Sequence, residues 1–240
     1  MINQSDILDY IVADLIDIIR LHNFELDNET LTAIKEVEFP NNLGIHATTP
    51  EHKAIYTEMA QAVKQLDSKE LDNLASDFAD VYLNYKFRAS PSESVWFDED
   101  NLERQQPMFE VRKYYEKYNL AVDNWKLRSD DHMVHQIQFI VYVLTNHRKT
   151  ESLQEIAKFM DEHILRWIGK FAKLVYERSN SDFYRYLAIL TANYLSELRQ
   201  LLVAFTGLQI PTVEEIDKRM SKKPKIPVAN IPPKPAKPSW

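Results

Sequence analysis

Three glycines in 240 residues constrain this chain more than any other feature. Parallel-sheet nucleotide folds and β-sandwiches rely on glycine for turns with positive φ, so a chain this poor in glycine has few routes to either. The apolar residues agree, because they recur at helical spacing. Ile7, Ile11, Leu15, Ile18 and Ile19 share one face, which predicts a helix over 5–22 with Ser5 as N-cap. A second helix follows Asp27-Asn28 and ends before Pro40. Thr49-Pro50-Glu51 starts a third with proline in its first turn, and Ser68 caps a fourth carrying Leu71, Leu74, Phe78, Val81, Tyr82 and Tyr85. Periodicity stops over 87–100, which reads as an ordered loop. Pro107 then starts or kinks a helix, and Ser129 or Asp130 caps the next, with Val134, Ile137, Val141 and Leu144. Thr150 opens another, 163–176 places Ile164, Trp167, Ile168, Phe171 and Val175 on a single face, and Ser181-Asp182 caps a long helix. No segment reads as a strand; Ile140-Val141-Tyr142-Val143 is β-prone but sits inside a helical pattern. The expected fold is all-α, a single helical-bundle domain.

That domain is expected to cover 1–210, as two helical halves with a hinge near 119–128. A short helix over 211–220 comes next, opened by the capping box Thr212-Val213-Glu214-Glu215. Residues 221–240 are rich in proline and lysine, contain no acid and lack any period, which predicts a disordered, polyproline-like tail. Such a tail is either a solubilising extension or a partner-binding arm. The absence of cysteine excludes disulfides, thiolate metal sites and a cysteine nucleophile. With 36 acidic residues against 29 basic ones, the net charge of −7 weighs against nucleic acid as a partner. Residues 1–6 carry no basic segment, and Asp9, Asp14 and Asp17 interrupt the apolar stretch from Ile7 to Ile19. Neither a signal peptide nor a membrane span is expected, and the cytoplasm is the expected compartment.

No catalytic constellation emerges. Gly44, Gly169 and Gly207 stand alone, so there is no phosphate-cradling loop and no nucleophile elbow. His132 and His135 would share a helix face, but no carboxylate pair accompanies them, and no metal site is expected. Two features remain. Ser129-Asp130-Asp131-His132 opens an apolar helix, where unpaired N–H groups either bind an anion or a peptide carbonyl or are capped by these side chains. Upstream, Tyr82-x-x-Tyr85 and Pro91-x-x-Ser94-Val95-Trp96 supply bulky aromatics beside a proline-fixed loop. They are either one wall of a peptide groove or core residues anchoring the loop.

Taken in order, the helix ending in Tyr82-x-x-Tyr85, the loop Pro91-x-x-Ser94-Val95-Trp96 and Asp131-His132 at a helix start resemble the TorD/DmsD family of redox-enzyme chaperones. Phe159-x-x-x-His163-x-x-x-Trp167 leading into Phe171, Asp182-Phe183-Tyr184 before a long helix, and Leu74-Ala75-x-x-Phe78 extend the resemblance over roughly 5–206. One departure stands out: Arg128-Ser129 occupy the place where the family has Glu-Pro, which reverses local charge.

The resemblance implies an all-helical cytoplasmic chaperone with no catalytic activity. Its partners would be the twin-arginine signal peptide and the apo form of a molybdoenzyme catalytic subunit, held until the molybdenum cofactor is inserted. The implied peptide-binding residues are Tyr82, Tyr85, Pro91, Ser94, Trp96, Asp131 and His132, with Glu93, Asp98 and Asp100 as further acids to attract the arginines. No permanently bound cofactor is implied, only transient contact with molybdopterin guanine dinucleotide or GTP, and the assembly would be a monomer or a domain-swapped homodimer. Two rival expectations are a scaffold recruiting a partner through its Pro-rich tail and a maturation factor that binds guanine nucleotide or molybdopterin cofactor.

Overall fold

The computed structural model of the chain describes residues 3–84 and 86–221. Among these described residues eleven α-helices succeed one another: α1 (Gln4–Asn23), α2 (Asn28–Glu36), α3 (Pro50–Gln65), α4 (Leu71–Phe78), α5 (Ser94–Phe97), α6 (Gln106–Lys117), α7 (Met133–Asn146), α8 (Thr150–Glu162), α9 (Ile168–Arg178), α10 (Asp182–Thr206) and α11 (Val213–Ser221). Among the described residues there is no strand, only an isolated bridge between Ser92 and His132. The all-α expectation holds. The tail expected to be disordered lies, from residue 222 onward, outside the described residues, as does Tyr85.

Several helix starts differ from expectation because a better cap lies nearby. Asn3 rather than Ser5 caps α1, in a reciprocal box with Asp6. Asp67 rather than Ser68 forms a box with Glu70, over the short 3-10 turn Ser68–Glu70 that precedes α4. Thr49 with Pro50 and Thr212 with Glu215 cap α3 and α11 as expected. The stripe over 163–176 is not one helix. His163, at φ −126° and ψ −96°, ends α8, and a 3-10 turn (Ile164–Arg166) precedes α9. Scarce glycine does not exclude left-handed backbone either: Glu38, Arg88, Asn101, Arg104 and Asn119 all adopt positive φ.

The chain divides into two compact units. The first holds the described residues through Ser90 together with Ile168–Leu201, and the second holds Pro91–Trp167 and the described residues from Leu202. The chain therefore passes between units at 90–91, 167–168 and 201–202, and residues 119–128 lie inside the second unit.

In the first unit, Leu8, Ile11, Leu15 and Ile18 of α1 are buried with Phe78, Val81, Phe171, Tyr184 and Leu187. His22, Tyr82 and Thr191 are paired with one another within this core. The Tyr82 hydroxyl lies 2.5 Å from His22 Nδ1, His22 Nε2 lies 2.8 Å from Thr191 Oγ1, and Thr191 donates to the Leu187 carbonyl at 2.9 Å. Since the Thr191 proton is committed to Leu187, His22 donates from Nε2 and accepts from Tyr82, which makes it a neutral imidazole. Burial lowers the His22 pKa to about 3, whereas an unfolded histidine titrates near 6.5. Stability from this residue is therefore present above pH 6.5 and lost as pH falls toward 3. Going from pH 7 to 5 should cost about 2 kcal/mol. Removing the hydroxyl with Tyr82→Phe leaves Nδ1 buried without a donor and is expected to cost about 1–3 kcal/mol at pH 7. Urea denaturation checks both values, the first as the difference between the parent and a non-titrating His22→Gln chain, and an unchanged midpoint for Tyr82→Phe would contradict the relay.

Candidate functional site

In the second unit, the loop containing Pro91 and Ser94 is fastened to the start of α7. Met133 N–H donates to the Pro91 carbonyl at 2.7 Å, and Glu93 N–H donates to the Asp131 carbonyl at 3.1 Å. The Asp131 carboxylate completes the joint. Its Oδ2 accepts from both the N–H and the hydroxyl of Ser94, at 2.6 and 2.5 Å, and its Oδ1 accepts from the Ser129 hydroxyl. Ser94 Oγ in turn accepts from Gln105 N–H at 3.0 Å, which ties in the residue before α6.

The first N–H groups of α7 are thus occupied from within. Met133 N–H is held by Pro91, and Val134 N–H by His132 Nδ1 at 3.2 Å, so His132 is the N-cap of this helix. Neither Ser129 nor Asp130 caps it. The Asp130 carboxylate is bound instead by Arg112, at 2.8 and 3.4 Å, while its carbonyl accepts from the Tyr115 hydroxyl at 2.9 Å. The Arg112 guanidinium lies between the rings of Phe109 and Trp125, 5.3 and 5.1 Å from their centroids.

Glu93 is fully buried, so it does not serve as a surface acid. His163 Nδ1 sits 3.0 and 3.2 Å from its two carboxylate oxygens, and Gln136 Nε2 donates to it at 3.0 Å. Gln136 also donates to the Asp131 carbonyl at 2.9 Å, which joins the Glu93 and Asp131 clusters. Gln136, His163 and Arg112 escaped the reading of separate motifs, and Glu93 entered it only as an acid for the arginines. Glu93 lies within the loop motif, and His163 shows in the Phe159-x-x-x-His163 spacing, but pairing across 70 positions leaves no local pattern.

Above this buried layer the surface is acidic and apolar. Glu99 and Asp100 are exposed, with Asp98 and Glu103 half-buried beside them. Asp98 Oδ2 holds the turn by accepting from the N–H groups of Asp100 and Leu102, at 3.1 and 2.9 Å. Arg104 reaches the carbonyls of Trp125 and Lys126, at 3.5 and 2.7 Å, so two exposed leucines, Leu102 (53%) and Leu127 (81%), flank one tied pair of loops. Half-buried Trp96 stacks on Trp167 with centroids 6.4 Å apart, and the Arg166 guanidinium lies 4.1 Å from the Phe97 ring centroid.

Of the sequence-derived site residues, Pro91, Ser94, Asp131 and His132 are brought together as buried elements of the fastened loop, and Trp96 stands half-exposed at its outer side. Tyr82 belongs to the core of the first unit, and Tyr85 is outside the described residues. His132 and His135 have rings 6.0 Å apart, and among the described residues no group of three or more His, Asp or Glu gathers to hold a metal. No helix among the described residues is long and apolar enough to cross a membrane.

Comparison with known proteins returns one family over more than half of the chain. The family model described as nitrate reductase delta subunit matches residues 46–173. Among curated proteins, the chain is 28% identical over 182 residues to a chaperone protein TorD of Aliivibrio fischeri, spanning 71% of this chain and 84% of the relative. It is 26% identical to the TorD of Aliivibrio salmonicida, over 67% of this chain and 79% of that one. A probable Tat proofreading chaperone DmsD of Haemophilus influenzae is 21% identical, over 77% and 84% of the two chains.

Burial raises the Asp131 carboxyl from the ordinary 3.8 to about 6, against the lowering effect of its Ser129 and Ser94 hydrogen bonds and with a further push from Glu93. Between those two values the folded state holds the proton and the unfolded state does not. Stability from this group is therefore full below pH 3.8 and lost as pH rises through 6, a loss of about 3 kcal/mol. Asp131→Asn keeps an acceptor for Ser94 and cannot ionise. Urea titrations at pH 4 and 7 should show the parent losing about 2.4 kcal/mol relative to the variant, and parallel profiles would contradict the assignment.

Proposed function

The chain belongs to the nitrate reductase delta subunit family, that of the TorD/DmsD chaperones, and on that premise we propose that it binds the twin-arginine signal peptide of a molybdenum-cofactor oxidoreductase. It holds the apoenzyme for cofactor insertion before export, as a cytoplasmic chaperone with no reaction of its own and no resident cofactor. One observation carries the peptide-binding part: an acidic loop with exposed leucines is pinned from beneath by a wholly buried hydrogen-bonded layer. A twin-arginine signal is basic and then apolar, so Asp98, Glu99, Asp100 and Glu103 suit its arginines, and Trp96, Leu102 and Leu127 suit its apolar stretch. Asp131, Ser94, Pro91 and His132 act as positioning residues that fix the loop's shape and do not touch the peptide. Preorganisation of this kind lowers the entropic cost of ordering a loop on binding.

The roles separate by mutation. Trp96→Ala is expected to weaken binding of a synthetic twin-arginine peptide about tenfold, the effect of removing a large aromatic contact. Asp131→Asn at pH 7 should stay within about threefold of the parent. Isothermal titration calorimetry measures both. Unchanged affinity in Trp96→Ala would overturn the assignment of the outer loop, and loss of binding in a folded Asp131→Asn chain would overturn the expectation that a neutral amide still holds the loop in shape.

A further inference from the structure

Residues 222–240 carry Lys222, Lys223, Lys225, Lys234 and Lys237 and no acid, with Ile226, Val228 and Ile231 coming after the first lysines. Basic residues followed by apolar ones are the same chemistry that the acidic loop is suited to take. The tail also starts close to that loop. Helix α11 packs against α8, and Asp217 of α11 accepts from Arg166 at 3.1 Å. Arg166 is the residue whose guanidinium lies over the Phe97 ring. A single arginine side chain thus links the loop to the helix that leads into the tail. Ser221, the last residue of α11, comes four residues after Asp217, about 6 Å along the helix, and nineteen residues follow it in the sequence. Tethering at such range gives an effective concentration of about millimolar, so weak contacts suffice for occupancy.

We infer that residues 222–240 dock on the acidic face formed by Asp98, Glu99, Asp100 and Glu103, and that tail and client peptide compete for it, the competition resting on the peptide-binding function proposed above. The contact is electrostatic and weakens with salt, because exposed charges are screened within about 10 Å at 0.1 M. It makes the tail an internal competitor that a client with a stronger basic-apolar segment displaces.

The chain has no cysteine, so a nitroxide on Ala229→Cys labels the full-length protein at one place. Docking predicts paramagnetic broadening of amides 96–103, reduced in about 0.5 M NaCl and in the same chain carrying Lys222→Gln, Lys223→Gln and Lys225→Gln. The neutralised chain is also expected to bind a synthetic twin-arginine peptide about three- to tenfold more tightly than the parent, since the free site is more populated. Absent broadening, or broadening that persists unchanged after neutralisation, would overturn the docking, and equal peptide affinities would overturn the competition. Peptide binding without broadening leaves the proposed function standing and removes this inference. Broadening in a chain that binds no twin-arginine peptide leaves the docking standing and removes the proposed function.

Discussion

A carboxylate removed from water must find donors in the protein, and Asp131 finds them in the N–H and hydroxyl of Ser94 and the hydroxyl of Ser129. Much of the second unit's polar order comes from that requirement. The same side chain that would be costly if left unpaired joins the loop containing Pro91 and Ser94 to the start of α7, and through Ser94 it reaches the start of α6. Glu93, Gln136 and His163 extend the layer, and Asp130 with Arg112 closes it on the other side. Breaking a buried pair such as Asp130–Arg112 by removing one partner costs about 3–5 kcal/mol, because the remaining charge has no water to turn to. The loop surface above inherits its fixed shape from this layer.

The first unit solves the same problem with a neutral group. His22 is flanked by a donor and an acceptor, so burial keeps it uncharged, whereas burial of Asp131 favours holding a proton. As the solution is acidified from pH 7, the two groups push stability in opposite directions, the histidine downward and the aspartate upward. Tyr82 belongs to this relay, which accounts for an aromatic at that position by core chemistry.

Helical content, most helix locations and the capping signals at Thr49, Asp27 and Thr212 were legible because each depends on residues within a few positions of one another. Errors came where two local signals competed: Asn3 with Asp6 outdid Ser5, and Asp67 with Glu70 outdid Ser68. The stripe from Ile164 to Val175 kept a helical period through the break at His163, because period reports which face is buried and not whether the backbone is continuous. At the site, the motif around Asp131 and His132 marked the right place. Its partners were less legible, since Arg112, Gln136 and His163 join it across separations that no spacing rule covers.

By itself the sequence determined an all-α chain, low in glycine and acidic overall, with a basic proline-rich tail and an ordered motif series shared with a chaperone family. Those properties arise from composition, period and local caps, which act along the chain. Only the tertiary structure decided that Asp131 and His132 are turned inward, as a buried acceptor and a helix cap, and that Glu93 is buried rather than available on the surface. It also left Trp96, Leu102 and Leu127 on the outer side of the loop. The physical reason is burial. Whether an acid at a helix start faces a ligand or the protein's own N–H and hydroxyl groups depends on what the fold packs against it.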